Sequence, residues 1–194
     1  MAPLLRMLVA QTLGELRVRW RTPAFSLTNL ALPVLFFTFF GLPVAGQTFS
    51  NGVSVGAYLL ASFAAYAVGS VMVYGFGIGV ATERGMKGDL LMRATPLPPA
   101  IAILAKVLNA LAFSLLSVVV LIVYGVLVGG VRQDLTVWID VTARLLAGSL
   151  PFVALGFAIG YSASPTVAPA LANLIFLPLA FASGLFMPLD QIPG

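Results

Sequence analysis

The chain has 194 residues, 60% of them hydrophobic and 8% charged, with a net charge of +4 and a mean hydropathy of +1.07. Soluble domains carry about 25% charged residues, so the composition excludes an ordinary soluble fold and describes an integral membrane protein with room for five or six spans of ~20 residues. Without cysteine or histidine there can be no disulfide, thiolate nucleophile, Cys/His zinc site or Ser-His-Asp triad.

Residues 1–22 read as a cytosolic amphipathic helix lying on the membrane face. Leu5, Leu8, Val9, Thr12, Leu13, Leu16 and Trp20 recur at helical spacing, while Arg6, Gln11, Glu15, Arg17 and Arg21 fall elsewhere. The other reading is a cytosolic tail with an arginine cluster. No small-residue cleavage site follows, so no signal peptide is expected.

The first span is expected over 25–44, kinked at Pro33, which removes one backbone hydrogen bond. An uncharged loop then ends in an Asn51-Gly52 turn signal. The second span is expected over 53–81. There Tyr58, Ser62, Tyr66, Ser70 and Tyr74 recur every four residues. This ridge of hydroxyls either lines a substrate path or packs against neighbouring helices; small residues such as Ser62, Gly69 and Ser70 favour packing.

Residues 82–99 form a water-facing loop. Six of the sixteen charged residues fall within 82–106, while 22–82 and 145–189 carry none. A charge at the bilayer centre costs ~2.5–3.5 kcal/mol on insertion scales, so such an island marks the space between spans. The third span is expected over 100–128, with Lys106 placed to snorkel to the interface. Residues 129–141 read as a second exposed loop carrying Arg132, Asp134 and Asp140; the fourth span follows over 142–161 with Pro151 inside, and the fifth over 167–187. The whole is one domain, an all-α polytopic helix bundle of five spans.

Eight of the ten basic residues lie in 1–22 and 82–106. By the positive-inside rule the N-terminus and the 82–99 loop are cytosolic and the chain crosses the cell membrane several times. The spans hold hydroxyls and asparagines but no carboxylate pair for a proton relay and no general base. No GxxxxGK[ST] sequence occurs, so the chain has no P-loop of its own. If it moves a substrate uphill, the energy enters from another chain.

Two stretches carry a family resemblance. One runs Glu83-Arg84-Gly85, Arg93-Ala94-Thr95-Pro96-Leu97-Pro98-Pro99 and Ala105-Lys106. The other runs Asn173, Pro178-Leu179, Phe181, Ser183-Gly184-Leu185, Pro188 and Ile192-Pro193. With the basic pre-span helix and the order of spans, the chain resembles the membrane subunit of a type-2 ABC transporter, the family of drug, lipid and polysaccharide export permeases.

The resemblance implies a permease that is no enzyme and binds no cofactor itself, ATP and Mg being held by a separate cytosolic ABC ATPase subunit. It implies a homodimer or heterodimer of permeases in lipid, with no nucleic-acid partner. The 82–99 loop becomes a coupling loop whose contact residues are Glu83, Arg84, Gly85, Met86, Lys87, Leu90 and Arg93. Met86 and Leu90 would form an apolar anchor, with the charged side chains turned toward the partner and not toward the rest of the chain. A substrate path for a drug, antibiotic or lipid-like amphiphile would involve Tyr58, Ser62, Tyr66, Ser70, Asn173 and Ser183. Family members have six spans, so the sixth is expected to be missing from these 194 residues. The alternatives are a non-transporting membrane scaffold or assembly protein, or a truncated permease half.

Overall fold

The computed structural model describes residues 2–21, 23–50, 52–88, 94–95 and 97–185, with the side chains of 2, 3, 19, 23–26 and 28 left aside. Seven α-helices account for most of it: α1 (Ala2–Trp20), α2 (Pro23–Phe36), α3 (Val55–Gly85), α4 (Pro99–Leu127), α5 (Leu135–Gly148), α6 (Leu150–Ser162) and α7 (Ala168–Ala182). Helix covers most of the described residues of each of the five expected apolar segments.

Three stretches are long and apolar enough to cross a membrane, namely Val55–Gly85, Pro99–Leu127 and Leu135–Ser162, and two shorter apolar helical stretches cover Asn29–Val44 and Ala168–Ala182. The outer faces are apolar as well: Ile103, Leu104, Leu115, Val119 and Val123 on α4, Phe39 and Phe40 after α2, and Leu174 and Phe181 toward the chain's end are all exposed. An apolar surface of that extent is stable only against lipid. The protein is an all-α membrane protein.

The end of the second stretch of helix shows how polar backbone is handled in such a bundle. Pro33 lies inside α2 and has no N–H to give the carbonyl of Asn29, four residues back. The Ser117 hydroxyl of α4 donates to that carbonyl instead, at 3.0 Å. Past α2 the chain widens into a π-turn over Phe37–Gly41 and closes with a 3-10 turn, Leu42–Val44. The Phe37 ring lies across Gly41, where a Cβ would collide with it.

The long α3 is the central helix. Its Ser54 hydroxyl caps the N-terminus by accepting from Ala57 N–H at 3.3 Å, as serine does where the first N–H groups lack partners. Three apolar clusters surround it. Phe37, Leu60, Phe63, Leu121 and Trp138 fill one end; Val71, Met72, Phe76, Phe113 and Val153 the side toward α4 and α6; Tyr66, Val73, Ile159, Ala172 and Phe176 the side toward α6 and α7.

The tightest crossing is α3 on α6. A Cβ at Gly156 would stand 2.7 Å from the Met72 carbonyl oxygen and 2.8 Å from Phe76 Cβ; one at Gly160 would stand 2.8 Å from Val80 Cβ and 3.0 Å from the Phe76 carbonyl oxygen. Gly156 and Gly160 are four apart, on one face of α6, and let the two backbones touch.

Several expected boundaries move. The second helix runs to Gly85 and not 81, so Glu83, Arg84 and Gly85 form the last turn of α3 and the loop starts only at Met86. The region read as a loop over 129–141 is helical from Leu135, because Trp138 with Val141, Thr142, Leu145 and Leu146 supplies a buried or half-buried face at helical spacing. The expected fourth span is divided at Ser149, whose hydroxyl bonds the Leu146 carbonyl at 2.6 Å; Pro151 then occupies the first turn of α6, where its missing N–H costs nothing.

The N-terminal segment is helical, but its faces are not the expected ones. Met7, Leu8, Gln11, Thr12, Glu15 and Leu16 are the less exposed side chains, whereas Leu5, Val9, Leu13 and Trp20 are exposed. Glu15, read as part of the polar outer face, turns inward.

Candidate functional site

The last turn of α3 meets charged residues from two other helices. Lys106 on α4 is 8% exposed. Its ammonium donates to Glu15 Oε1 on α1 at 2.8 Å and to Glu83 Oε1 on α3 at 2.6 Å. These are the chain's only two glutamates. Lys106 therefore does not snorkel outward; a largely dehydrated cation needs anions within reach, and α1 and α3 each bring one.

Arg84 faces the opposite way. Its Nη1 donates to the carbonyls of Gly160 and Tyr161 at 2.9 and 2.8 Å, and its guanidinium carbon lies 5.3 Å from the Tyr161 ring centroid. The last carbonyls of α6 have no partners within their helix and carry the negative end of its dipole, so a cation is stabilising there. Gly85 sits against the turn between α6 and α7, where a Cβ would run into the Pro165 ring.

Glu-Arg-Gly thus acts as a three-way clasp. One residue reaches Lys106 on α4 and through it α1, the next reaches the end of α6, and the third seats the turn into α7. The expectation that Glu83 and Arg84 hold their polar atoms out for a partner is corrected: both are engaged within the chain, because the helix runs on to Gly85 and presents successive residues to different neighbours.

What projects from the clasp is the turn after it. Met86 is 70% exposed and Lys87 is exposed too. The Met86 and Lys87 N–H groups close the helix onto the Thr82 and Arg84 carbonyls, each at 3.0 Å. Lys87 does so with φ +58°, the one non-glycine residue with positive φ among those described. Side chains that lack branching at Cβ tolerate this at a cost of ~1–2 kcal/mol, and branched ones worse. Lys87→Val is therefore expected to destabilise the purified protein by ~2 kcal/mol or more relative to Lys87→Gly, read as melting temperatures. Equal melting temperatures would mean that the turn relaxes to another geometry. Leu90 and Arg93 lie outside the described residues.

The proposed path residues are distributed differently. Tyr58 donates to the Gly184 carbonyl at 3.1 Å, and the Tyr74 hydroxyl to Asn173 Oδ1 at 2.8 Å. Tyr66 is buried against the rings of Phe36 and Phe176. Ser70 bonds the Ala67 carbonyl at 2.9 Å and lies 3.4 Å from Asn29 Oδ1. Ser183 donates back to the Ala180 carbonyl at 3.1 Å, and Ser62 is half-buried. The hydroxyls bond α3 to α2, to α7 and to the turn after it.

Two features went unread in the sequence. One is the Glu15–Lys106–Glu83 cluster, whose signal is arithmetical: a lysine within a span and only two glutamates to neutralise it. The other is a pair of buried polar side chains on α4. Asn109 Oδ1 and Nδ2 and Ser114 Oγ have no hydrogen-bond partner among the described residues.

Comparison with known proteins agrees with this architecture. Residues 8–194 match the family described as ABC-2 type transporter. A Bacillus subtilis (strain 168) protein named "Putative transport permease YvfS" is 26% identical over 189 residues, which cover 97% of this chain and 77% of that protein. No solved structure matches the chain. The family match spans nearly the whole sequence, both motif stretches included, and the chain belongs to the ABC-2 type transporter family as a transport permease.

Proposed function

We propose that the chain is the membrane half of an ATP-driven exporter, with ATP bound together with Mg, and hydrolysed, on a separate cytosolic ABC ATPase. Two permease subunits, identical or related, would enclose a path for an amphipathic cargo such as a drug, antibiotic or lipid-like molecule. The observation that carries the reading is the projecting Met86–Lys87 turn mounted on the Glu83-Arg84-Gly85 clasp. A force applied to that turn reaches α1 and α4 through Lys106, and α6 and α7 through Arg84 and Gly85. An exposed methionine offers an adaptable apolar anchor for a partner, and Lys87 lies at its rim.

The reading requires the turn to face the cytosol in the cytoplasmic membrane, as the bias of eight basic residues to two suggests. Single substitutions Gln47→Cys, Lys87→Cys and Gln133→Cys in this cysteine-free chain are expected to react with an impermeant maleimide from outside, inside and outside respectively. Labelling of position 87 from outside would reject the orientation and the coupling role together.

A further inference from the structure

Lys106 has more partners than one cation needs. Two carboxylates meet one ammonium at 2.8 and 2.6 Å, so a surplus negative charge is held in a site with little water, and the two anions repel one another. Such an arrangement favours release of one arm. The arms differ: the Glu83 side chain is 39% exposed and the Glu15 side chain 17%, so water replaces the lysine more readily at Glu83. Glu83 also stands three residues before Met86, in the last turn of α3, whereas Glu15 belongs to α1.

A second observation lies deeper on α4. Asn109 is three residues on from Lys106, hence a neighbour on the same helix face. It is fully buried, and both of its amide atoms lack partners among the described residues. A buried amide left unpaired is destabilising in this arrangement and is relieved by one that brings it a donor. Lys106 carries the nearest side-chain donor in sequence, one turn before Asn109 on the same face.

We infer that Lys106 is a positioning residue of the transport step: it latches α1 and α4 to the α3 turn and frees them when that turn is displaced, with Glu83 as the arm that releases, Glu15 as the arm that holds, and Asn109 as the group that receives the freed bond. The inference rests on the coupling reading above and adds to it which contact breaks. Arg84 and Gly85 stay seated on α6 and the turn into α7, so the movement is divided unequally among the helices.

The chain's own chemistry supplies the test, because Lys87 and Lys106 are its only lysines. Membranes holding the protein with its co-purifying ATPase are pulsed briefly with N-hydroxysuccinimidyl acetate, with or without MgATP and vanadate. Acetylation is read at each lysine by peptide mass spectrometry. Lys87 is expected to label readily in membranes stripped of the ATPase and to be protected by it. Lys106 is expected to label slowly without nucleotide and several-fold faster in the trapped state. Glu83→Gln should raise Lys106 labelling without nucleotide and remove most of the nucleotide response. Glu15→Gln should leave that response in place, and Asn109→Leu should diminish it. A merely structural ion cluster would alter resting reactivity without any nucleotide response. Unchanged Lys106 labelling in the trapped state, with Lys87 protected by the ATPase, overturns the inference and leaves the coupling reading standing. So does a nucleotide response that depends on Glu15 and not on Glu83. If neither lysine responds to the ATPase or to nucleotide, both fall together.

Discussion

Replacing Gly156 with leucine should cost the bundle more than any other single change on α6. The nearest obstacle to a Cβ there is the Met72 carbonyl oxygen at 2.7 Å, backed by Phe76 Cβ at 2.8 Å. A flexible side chain could swing away; the backbone of the central helix cannot. Overpacked cores lose ~1–3 kcal/mol, and a backbone obstruction places this variant at or above that range. Lipid does not compensate, since helix association in a bilayer depends on close packing and not on the hydrophobic effect. Gly148→Leu is the matched control, because a Cβ there meets nothing within 4 Å. Melting of the detergent-solubilised variants by size-exclusion chromatography should show a large loss for Gly156→Leu and little for Gly148→Leu. Equal losses would mean that the α3–α6 crossing is looser than described.

Removing Lys106 is the second large effect. Lys106→Met leaves Glu15 and Glu83 facing one another with no cation between them. Breaking a buried ion pair by deleting one partner costs ~3–5 kcal/mol; because Glu83 keeps contact with water, the lower end, ~3 kcal/mol, is expected. The sign reverses in combination. Lys106→Met with Glu15→Gln and Glu83→Gln removes both uncompensated charges and should recover most of the loss, as replacing a whole buried ionic cluster does elsewhere. Comparing the triple variant with the three single variants isolates the coupling. A triple variant no more stable than Lys106→Met alone would show that lysine packing, and not charge, holds these helices together.

The helical bundle was legible in the sequence because the bilayer leaves few options: long uncharged runs become helices, and charges mark their ends. The same logic located the charged turn that ends α3. The turn signal at Asn51-Gly52 was legible too, since Gly52 takes φ +84°, which glycine adopts without strain. What could not be read was which face meets which neighbour. Helical spacing sets Glu15 two turns on from Leu8, on the same face of α1 and away from Leu13, but nothing local says that a lysine on α4 awaits it. The 82–99 boundary slipped for a related reason. Glu83 and Arg84 look like loop charges until α4 and α6 supply the cation and the carbonyls that let the helix continue to Gly85. Ser149 divides α5 from α6 where a single span was expected, because Pro151 is accommodated in a first turn and not within a helix. Gly156 and Gly160 were present as a small-residue pair; their partner face on α3 emerged only from packing.

Recovery of the ATPase with the permease tests the coupling role most directly. Met86→Asp changes one exposed side chain on the projecting turn and touches none of the clasp. Its yield in membranes should match the parent chain, since exposed substitutions usually shift stability by ~0.5 kcal/mol or less. A charge placed in the apolar centre of an interface costs about 2 kcal/mol or more, roughly 30-fold in affinity. Affinity purification of the tagged permease from native membranes should therefore bring down a P-loop ATPase subunit, identified by mass spectrometry, with the parent chain and little of it with Met86→Asp. Equal recovery of that ATPase with both chains would contradict the placement of the coupling contact at the α3 turn.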